Sequence, residues 1–249
     1  GIDFGGGASK ATLLGEDGII AATNSVEYPT YYPQPGYAEQ NPDDWYAAVK
    51  ENIAGILQKS GINKEEIAAL CFDAATHTAV LTDNDGKVLR PAIYWTDSRS
   101  TKECAYIHNN FGDLVLNKTL HSVDTIWTLP QLMWVKNNEP DIWKRVGKIF
   151  FPKDYIRYLL TGEYCTDYIE AEGSMLFDFN TLKWSEELCG IIGLDVGILP
   201  HVVSPMDFVG NITEKAAVEI GLSADTKVIC GTTDTALEVC ASGAVENGD

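Results

Sequence analysis

The sequence predicts an α/β domain carrying a helical excursion, and three observations lead to that reading. The first quarter reads as short strands followed by a helix. Beyond Tyr94 the apolar spacing turns mostly helical. The last stretch returns to strand, turn and helix. No low-complexity linker or internal repeat interrupts the pattern.

The elements can be justified in order. Ile2–Phe4 is a short apolar strand, Lys10–Leu14 another, and Ile19–Val26 a third after the turn Glu16-Asp17-Gly18. Asn41 offers a helix cap, Pro42 fits the first helical position, and Asp43 and Asp44 face the positive end of the dipole. Trp45, Val49, Ile53, Ile56 and Leu57 then recur at helical spacing until Gly61. Ile67–Phe72 is a near-continuous apolar run, as in a strand buried on both faces. Val80–Leu81 and Val88–Leu89 flank "TDNDGK" and predict a hairpin. Helices are expected over Ser100–Phe111, Thr125–Asn138, Lys153–Leu160, Ser185–Ile192 and Glu214–Ile220, followed by a strand at Lys227–Cys230 and a helix from about Thr235.

Bulk composition narrows the function classes. A chain of 249 residues suits one or two domains, and can bury roughly 70–75% of its unfolded surface without staples. Hydrophobic and charged fractions of 45% and 22% are those of an ordinary globular protein. The net charge of −18 argues against nucleic acid, whose phosphates are bound by Lys and Arg, and against an anionic membrane surface. It is compatible with a small neutral substrate or an anion delivered with Mg²⁺, and equally with acidity that serves only solubility.

The six cysteines lie far apart with no Cys-x-x-Cys pair, which disfavours a zinc ribbon and a small disulfide scaffold. They read as reduced thiols in the cytoplasm. No apolar run approaches the roughly 18 residues of a membrane span, and no signal peptide is visible. The chain lacks an initial Met and stops at "GAVENGD", so both ends are expected to be cut.

Three fragments hold candidate chemistry. "DFGGG" (Asp3, Gly5, Gly6, Gly7) lacks the third glycine and the helix of a dinucleotide fingerprint, and lacks the Gly-Lys-Ser/Thr of a Walker loop. What remains is a strand–turn–strand that is either a plain hairpin or a nest of amides for an anion, with Asp3 able to hold Mg²⁺ through water. In "VICGTTDTALEVCASG", Asp234 is either a helix N-cap or a carboxylate at the end of a strand, where open α/β sheets bind ligands. "FDAATHTAVLTDNDGKVLRPAIYWTDSRS" places Thr76 and His77 after one buried strand, and Trp95, Asp97 and Arg99 after another. His, Asp and Arg can bind hydroxyls and Trp can face the apolar side of a sugar, although His77 could be structural and Asp97 could cap the next helix. The four histidines have no metal-ligand spacing. "DNDG" lacks the Glu that a calcium loop needs at its twelfth position, where Tyr94 stands. There is no Gly-x-Ser-x-Gly elbow.

In order and spacing these fragments resemble the FGGY family of carbohydrate kinases, and within it are most similar to the xylulokinases. The family's Asp-x-Gly-Thr-x-x-x-Lys is matched by Asp3, Gly5 and Lys10, its "gw-EQ-P" by "GYAEQNPDDW", its "W-x-D-x-R" by "WTDSR", and its "G-x-x-D-x-A" by "GTTDTA". "PKDYIRYLLTGEYCTDYIEAEGSMLFD" is similar to the xylulokinase pattern nearly throughout. The resemblance covers essentially residues 1–249, but only the first of the family's two domains; the C-terminal nucleotide-binding domain is absent from this chain.

The resemblance implies an actin-like, ribonuclease-H-like ATPase fold, a mixed sheet flanked by helices. It implies ATP-dependent phosphorylation of a small sugar, D-xylulose to D-xylulose 5-phosphate or another ketose or polyol (ribulose, glycerol, gluconate), with ATP and Mg²⁺. Asp234 would be the catalytic base. Asp3, Gly5, Gly6, Gly7 and Lys10 would serve the phosphates, with Asp3 toward Mg²⁺. Thr76, His77, Trp95, Asp97 and Arg99 would bind sugar. A cytoplasmic protein is expected, with a homodimer one open choice of oligomeric state, and the fragment alone is expected to be inactive. Two departures stand out: Gly6 and Gly7 replace hydroxyl residues of the family's first loop, and Glu238 replaces a glycine after Asp234. They motivate a rival reading, a non-catalytic sugar-binding protein on the kinase scaffold. An actin-like structural ATPase would leave "WTDSR" and the Asp234 segment unexplained.

Overall fold

The computed structural model describes residues 1–244 and 248, so part of "GAVENGD" lies outside the described residues. Three strands open the chain: β1 (Ile2–Phe4), β2 (Ala8–Leu14) and β3 (Ile20–Glu27). They form an antiparallel meander, with Asp3 opposite Lys10 and Thr12 opposite Thr23. On the other edge of β1 the strand Phe72–Ala74 runs parallel to it, and Thr232–Thr233 runs parallel to that strand. The five-stranded sheet thus joins residues more than two hundred positions apart.

Helix α1 (Pro42–Ser60) covers one face of the sheet. Its boundaries follow from the predicted signals: the Asn41 side chain accepts the Asp43 amide, and Gly61 closes the last turn onto the Leu57 carbonyl. Trp45, Val49, Ile53 and Ile56 are buried against Ile2, Phe4 and Phe72, each such side chain stabilising the fold by about 1.5–3 kcal/mol. Buried Asn52 fixes the register, donating to the Ser9 hydroxyl at 3.0 Å.

The excursion holds helices α2 (Thr101–Thr119) and α3 (Thr128–Asn138), whose core includes Ile107, Val115, Leu129 and Leu132. Three expectations are corrected here. Helix α2 runs past the predicted end at Phe111, because Val115 continues its buried face beyond Gly112. The hairpin across "TDNDGK" keeps its turn, in which Asp83 accepts the Asp85 and Lys87 amides. Its arms meet only in the Thr82–Val88 bridge; strand Val80–Thr82 pairs instead with Lys148–Phe150. The apolar run at residues 67–72 also divides, into Ala69–Leu70 in a second sheet and Phe72–Ala74 in the first.

Behind the sheet a buried ionic cluster joins the excursion to the C-terminal strand. Lys153 lies 2.7 Å from both Asp154 and Asp167, and Arg157 lies 2.9 Å from Asp154. All of these side chains are fully buried. Asp167 also accepts the Thr232 hydroxyl at 2.8 Å, so the strand leading to Asp234 is tied into the cluster.

Candidate active site

The end of the sheet gathers three carboxylates. Asp3 and Asp73 face each other across parallel strands, an arrangement that costs free energy when both are charged. The next strand over ends at Thr233, directly before Asp234. Burial first, then the charges of Asp3 and Asp234, push the Asp73 carboxyl up to about 7. Burial likewise raises Asp3, helped by Asp234 and Glu238 and opposed by Lys10. Mutually repelling carboxylates gathered at one end of a sheet are characteristic of sites built to receive a cation or proton.

The glycine turn adjoins this cluster. Its carbonyls are held from behind: Gly5 accepts the Tyr28 hydroxyl at 2.5 Å, and Gly6 accepts the Thr30 hydroxyl at 2.8 Å and the Gln40 amide at 3.0 Å. The Gly6 and Gly7 amides have no protein acceptor among the described residues. Both residues are exposed, so their donors remain available to a ligand, as an anion nest requires. Lys10 stands beside Asp3 on the neighbouring strand.

Asp234 is the first residue of helix Asp234–Ala241, not its cap. Thr233 caps the helix by accepting the Ala236 amide. One Asp234 oxygen accepts the Thr235 amide at 2.6 Å, and the other has no protein partner among the described residues.

His77 follows the Asp73 strand in a left-handed backbone (φ 73°), a conformation that costs a β-carbon residue free energy and concentrates at functional sites. Its ring contacts the Thr76 hydroxyl at 2.7 Å and packs on Trp127 at 4.3 Å between centroids. A side-chain carbon on Gly173 would lie 2.6 Å from the imidazole, so that glycine makes room for the ring. Burial pulls the His77 pKa down to about 4, leaving a neutral imidazole that can both donate and accept. Its backbone amide donates to Glu170, a member of the buried cluster whose own carboxyl is pushed up to about 8 by burial first and then by Asp154 and Asp167.

Trp95 stands 40% exposed, free to offer its face. Asp97 and Arg99 are different: each side chain is 1% exposed and they are paired at 2.8 Å. Asp97 also accepts the Ala38 amide, while Arg99 reaches Glu39 and stacks on Tyr37. Together they clasp the loops flanking Trp95, their polar atoms partnered within the protein.

Asp73, Lys153, Asp167 and Glu170 were not singled out by the sequence pattern. Asp73 could have been found as a charge inside an apolar strand run.

A sequence model of the "FGGY family of carbohydrate kinases, N-terminal domain" matches residues 1–240. The chain is 36% identical over 248 residues to a xylulose kinase of Bacillus subtilis (strain 168), spanning 100% of this chain and 50% of that protein. It is 31% identical over 229 residues to a glycerol kinase of Thermococcus gammatolerans, spanning 90% and 46%. Among solved structures, a xylulose kinase from Rhodospirillum rubrum superposes with a TM-score of 0.96 at 25% identity, covering 100% of this chain and 51% of that one. A gluconate kinase from Lactobacillus acidophilus does so with a TM-score of 0.90 at 28% identity, covering 95% and 48%. The chain spans about half the length of the curated relatives it matches.

Proposed function

The chain belongs to the FGGY family of carbohydrate kinases, and on that premise we propose that it forms the sugar-binding, phosphate-turn half of an ATP-dependent sugar kinase. Its fold is the actin-like, ribonuclease-H-like one. The observation that carries the proposal is the meeting of Asp3, Asp73 and Asp234 at one end of the sheet beside the unpartnered Gly6 and Gly7 amides.

In this reading Asp234 accepts a hydrogen bond from the sugar hydroxyl and takes its proton as the oxygen attacks the terminal phosphorus. One P–O bond forms, the bond to the ADP oxygen breaks, and ADP leaves. Because such transfers are loose, orienting the attacking oxygen is the larger part of the task. The glycine amides donate to phosphate oxygens, and Lys10 adds charge from the adjoining strand. His77, neutral, binds a sugar hydroxyl together with Thr76, and Trp95 faces the apolar side of the sugar. Asp97 and Arg99 hold that loop in place.

Among the described residues no three acidic, His or Cys side chains are placed to grip a metal by themselves. Mg²⁺ does not require that, since it keeps several waters and takes one or two carboxylates plus substrate phosphates. The orphaned Oδ1 of Asp73 and the facing Asp3 fit that role. Bound there, the ion would neutralise phosphate charge.

D-xylulose is the favoured acceptor, supported by the Bacillus relative; ribulose, glycerol and gluconate are the alternatives. A second domain would supply the adenine and ribose contacts. Helix Asp234–Ala241 supports this, since it buries none of its own residues and leaves Leu237 and Val239 exposed. The six unpaired cysteines agree with a cytoplasmic setting.

ADP release by the full-length protein with each sugar tests the reading. D-xylulose should stimulate release, and Asp234→Asn should lower kcat by about 10²–10⁴. Stimulation by none of the sugars would overturn it. The present chain alone should show no turnover.

A further inference from the structure

A β-carbon on Gly6 would sit 2.9 Å from the Tyr94 hydroxyl oxygen and 3.7 Å from the ring carbon that carries it. Gly6 does not have a left-handed backbone, so its lack of a side chain answers to this neighbour and not to backbone conformation. Gly7 beside it has open space. The phenol oxygen therefore crowds the place where a side chain at position 6 would begin.

Tyr94 is 6% exposed overall, clustered with Ala38 and Ala75 and packed beside Trp95, with ring centroids 5.9 Å apart. Its amide donates to the Ala38 carbonyl at 2.9 Å, and the Asp97 amide donates to the Tyr94 carbonyl at 2.9 Å. Burial first, and then the nearby Asp234, Tyr32 and Asp3 groups, raise its pKa, although Trp95 opposes them. The hydroxyl thus keeps its proton and remains a donor beside the Gly6 turn.

We propose that Tyr94 is a phosphate-binding residue of this site, its hydroxyl donating to a phosphate oxygen of the nucleotide in place of a hydroxyl side chain at position 6. The inference rests on the kinase reading above. It turns the glycine at position 6 from a sign of lost activity into one half of an exchange: the donor is delivered from the segment that carries Trp95, not from the turn itself.

The test is a steady-state comparison in the full-length protein. Sugar-stimulated ADP release by the unaltered protein first establishes the kinase reading, and its absence would overturn both proposals together. Given that activity, Tyr94→Phe should raise KM for ATP about tenfold to a hundredfold, the effect of losing a hydrogen bond to a charged group, with KM for the sugar unchanged. Gly6→Thr alone should also weaken ATP use, because its β-carbon meets the phenol oxygen. Gly6→Thr combined with Tyr94→Phe should recover most of the loss, since the hydroxyl returns to the turn and the space is vacated. Thermal unfolding of each variant identifies any that fails to fold, and calorimetric titration with Mg·ATP supplies affinity independently of turnover. Tyr94→Phe kinetics within twofold of the unaltered protein would overturn the Tyr94 assignment while leaving the kinase reading intact. So would a rise in the sugar's KM alone, or a double variant no better than Tyr94→Phe.

Discussion

Gly231 passes so close to Phe72 that a β-carbon on it would lie 1.9 Å from the Phe72 carbonyl oxygen. It also has φ of 76°, so both space and backbone demand glycine. This approach lets Thr232–Thr233 pair beside the Asp73 strand and delivers Asp234 to the carboxylate cluster. Gly231→Ala should lower stability by about 3–5 kcal/mol and abolish sugar binding. A urea denaturation midpoint close to the unaltered one would refute this.

Asp73 should titrate near pH 7, where ordinary carboxyls are already ionised. The folded state then holds a proton that the unfolded chain releases near 3.8, so this group's contribution to stability falls as pH rises from about 4 to 7. Cation binding requires the ionised form, so Mg·ATP affinity should fall as the solution is acidified below about 7. Carboxyl NMR should show the high titration in the unaltered protein and lose it in Asp73→Asn.

His77 works in the opposite sense. The folded imidazole titrates at about 4 against an ordinary 6.5, so its contribution is fully present above 6.5 and is lost as pH falls toward 4. Ring-nitrogen NMR should report a neutral ring at pH 5.5. A protonated signal there would contradict the burial argument. His77→Ala should at the same time raise KM for the sugar far more than KM for ATP.

Lys153 is held by Asp154 and Asp167, each at 2.7 Å, in a fully buried setting. Burial works against its charge, but the surrounding carboxylates outweigh it and raise its pKa. Lys153→Met would leave those carboxylates uncompensated, and should cost about 3–5 kcal/mol. Calorimetric unfolding would measure it; a loss below about 1 kcal/mol would mean that the carboxylates protonate without strain.

Helix α1 was legible because its signals are local: Asn41, Pro42 and Gly61 sit at its own ends. Helix Glu214–Ile220 was legible for the same reason, between Thr213 and Gly221. The partner of Val80–Thr82 was not, because Lys148–Phe150 lies far along the chain and no local rule selects it over Val88. Asp3 and Asp234 could be singled out as carboxylates beside turns, but Asp73 enters the site only through parallel registration with β1. Asp97 and Arg99, two positions apart, look like open ligands until the fold turns them toward each other. Tyr94 gains its meaning from a side chain that Gly6 lacks, on a strand-turn it meets only in three dimensions.

The buried ionic cluster has a consequence for how the chain assembles. Lys153, Asp154, Arg157, Asp167 and Glu170 all fall within one short stretch of sequence, so bringing them together costs little loop-closure entropy. Their remaining partners do not: Arg157 donates to the Cys230 carbonyl at 2.5 Å, and Asp167 accepts from Thr232. Until the C-terminal strand arrives, that side of the cluster stays open to water, and the charges have little reason to leave solvent. The Thr232–Thr233 strand is therefore the one that seals the charges, and drying of the interior coincides with placement of Asp234. A chain interrupted before Cys230 should collapse around its hydrophobic clusters yet remain hydrated at this point, with amides of residues 153–170 exchanging rapidly against deuterium.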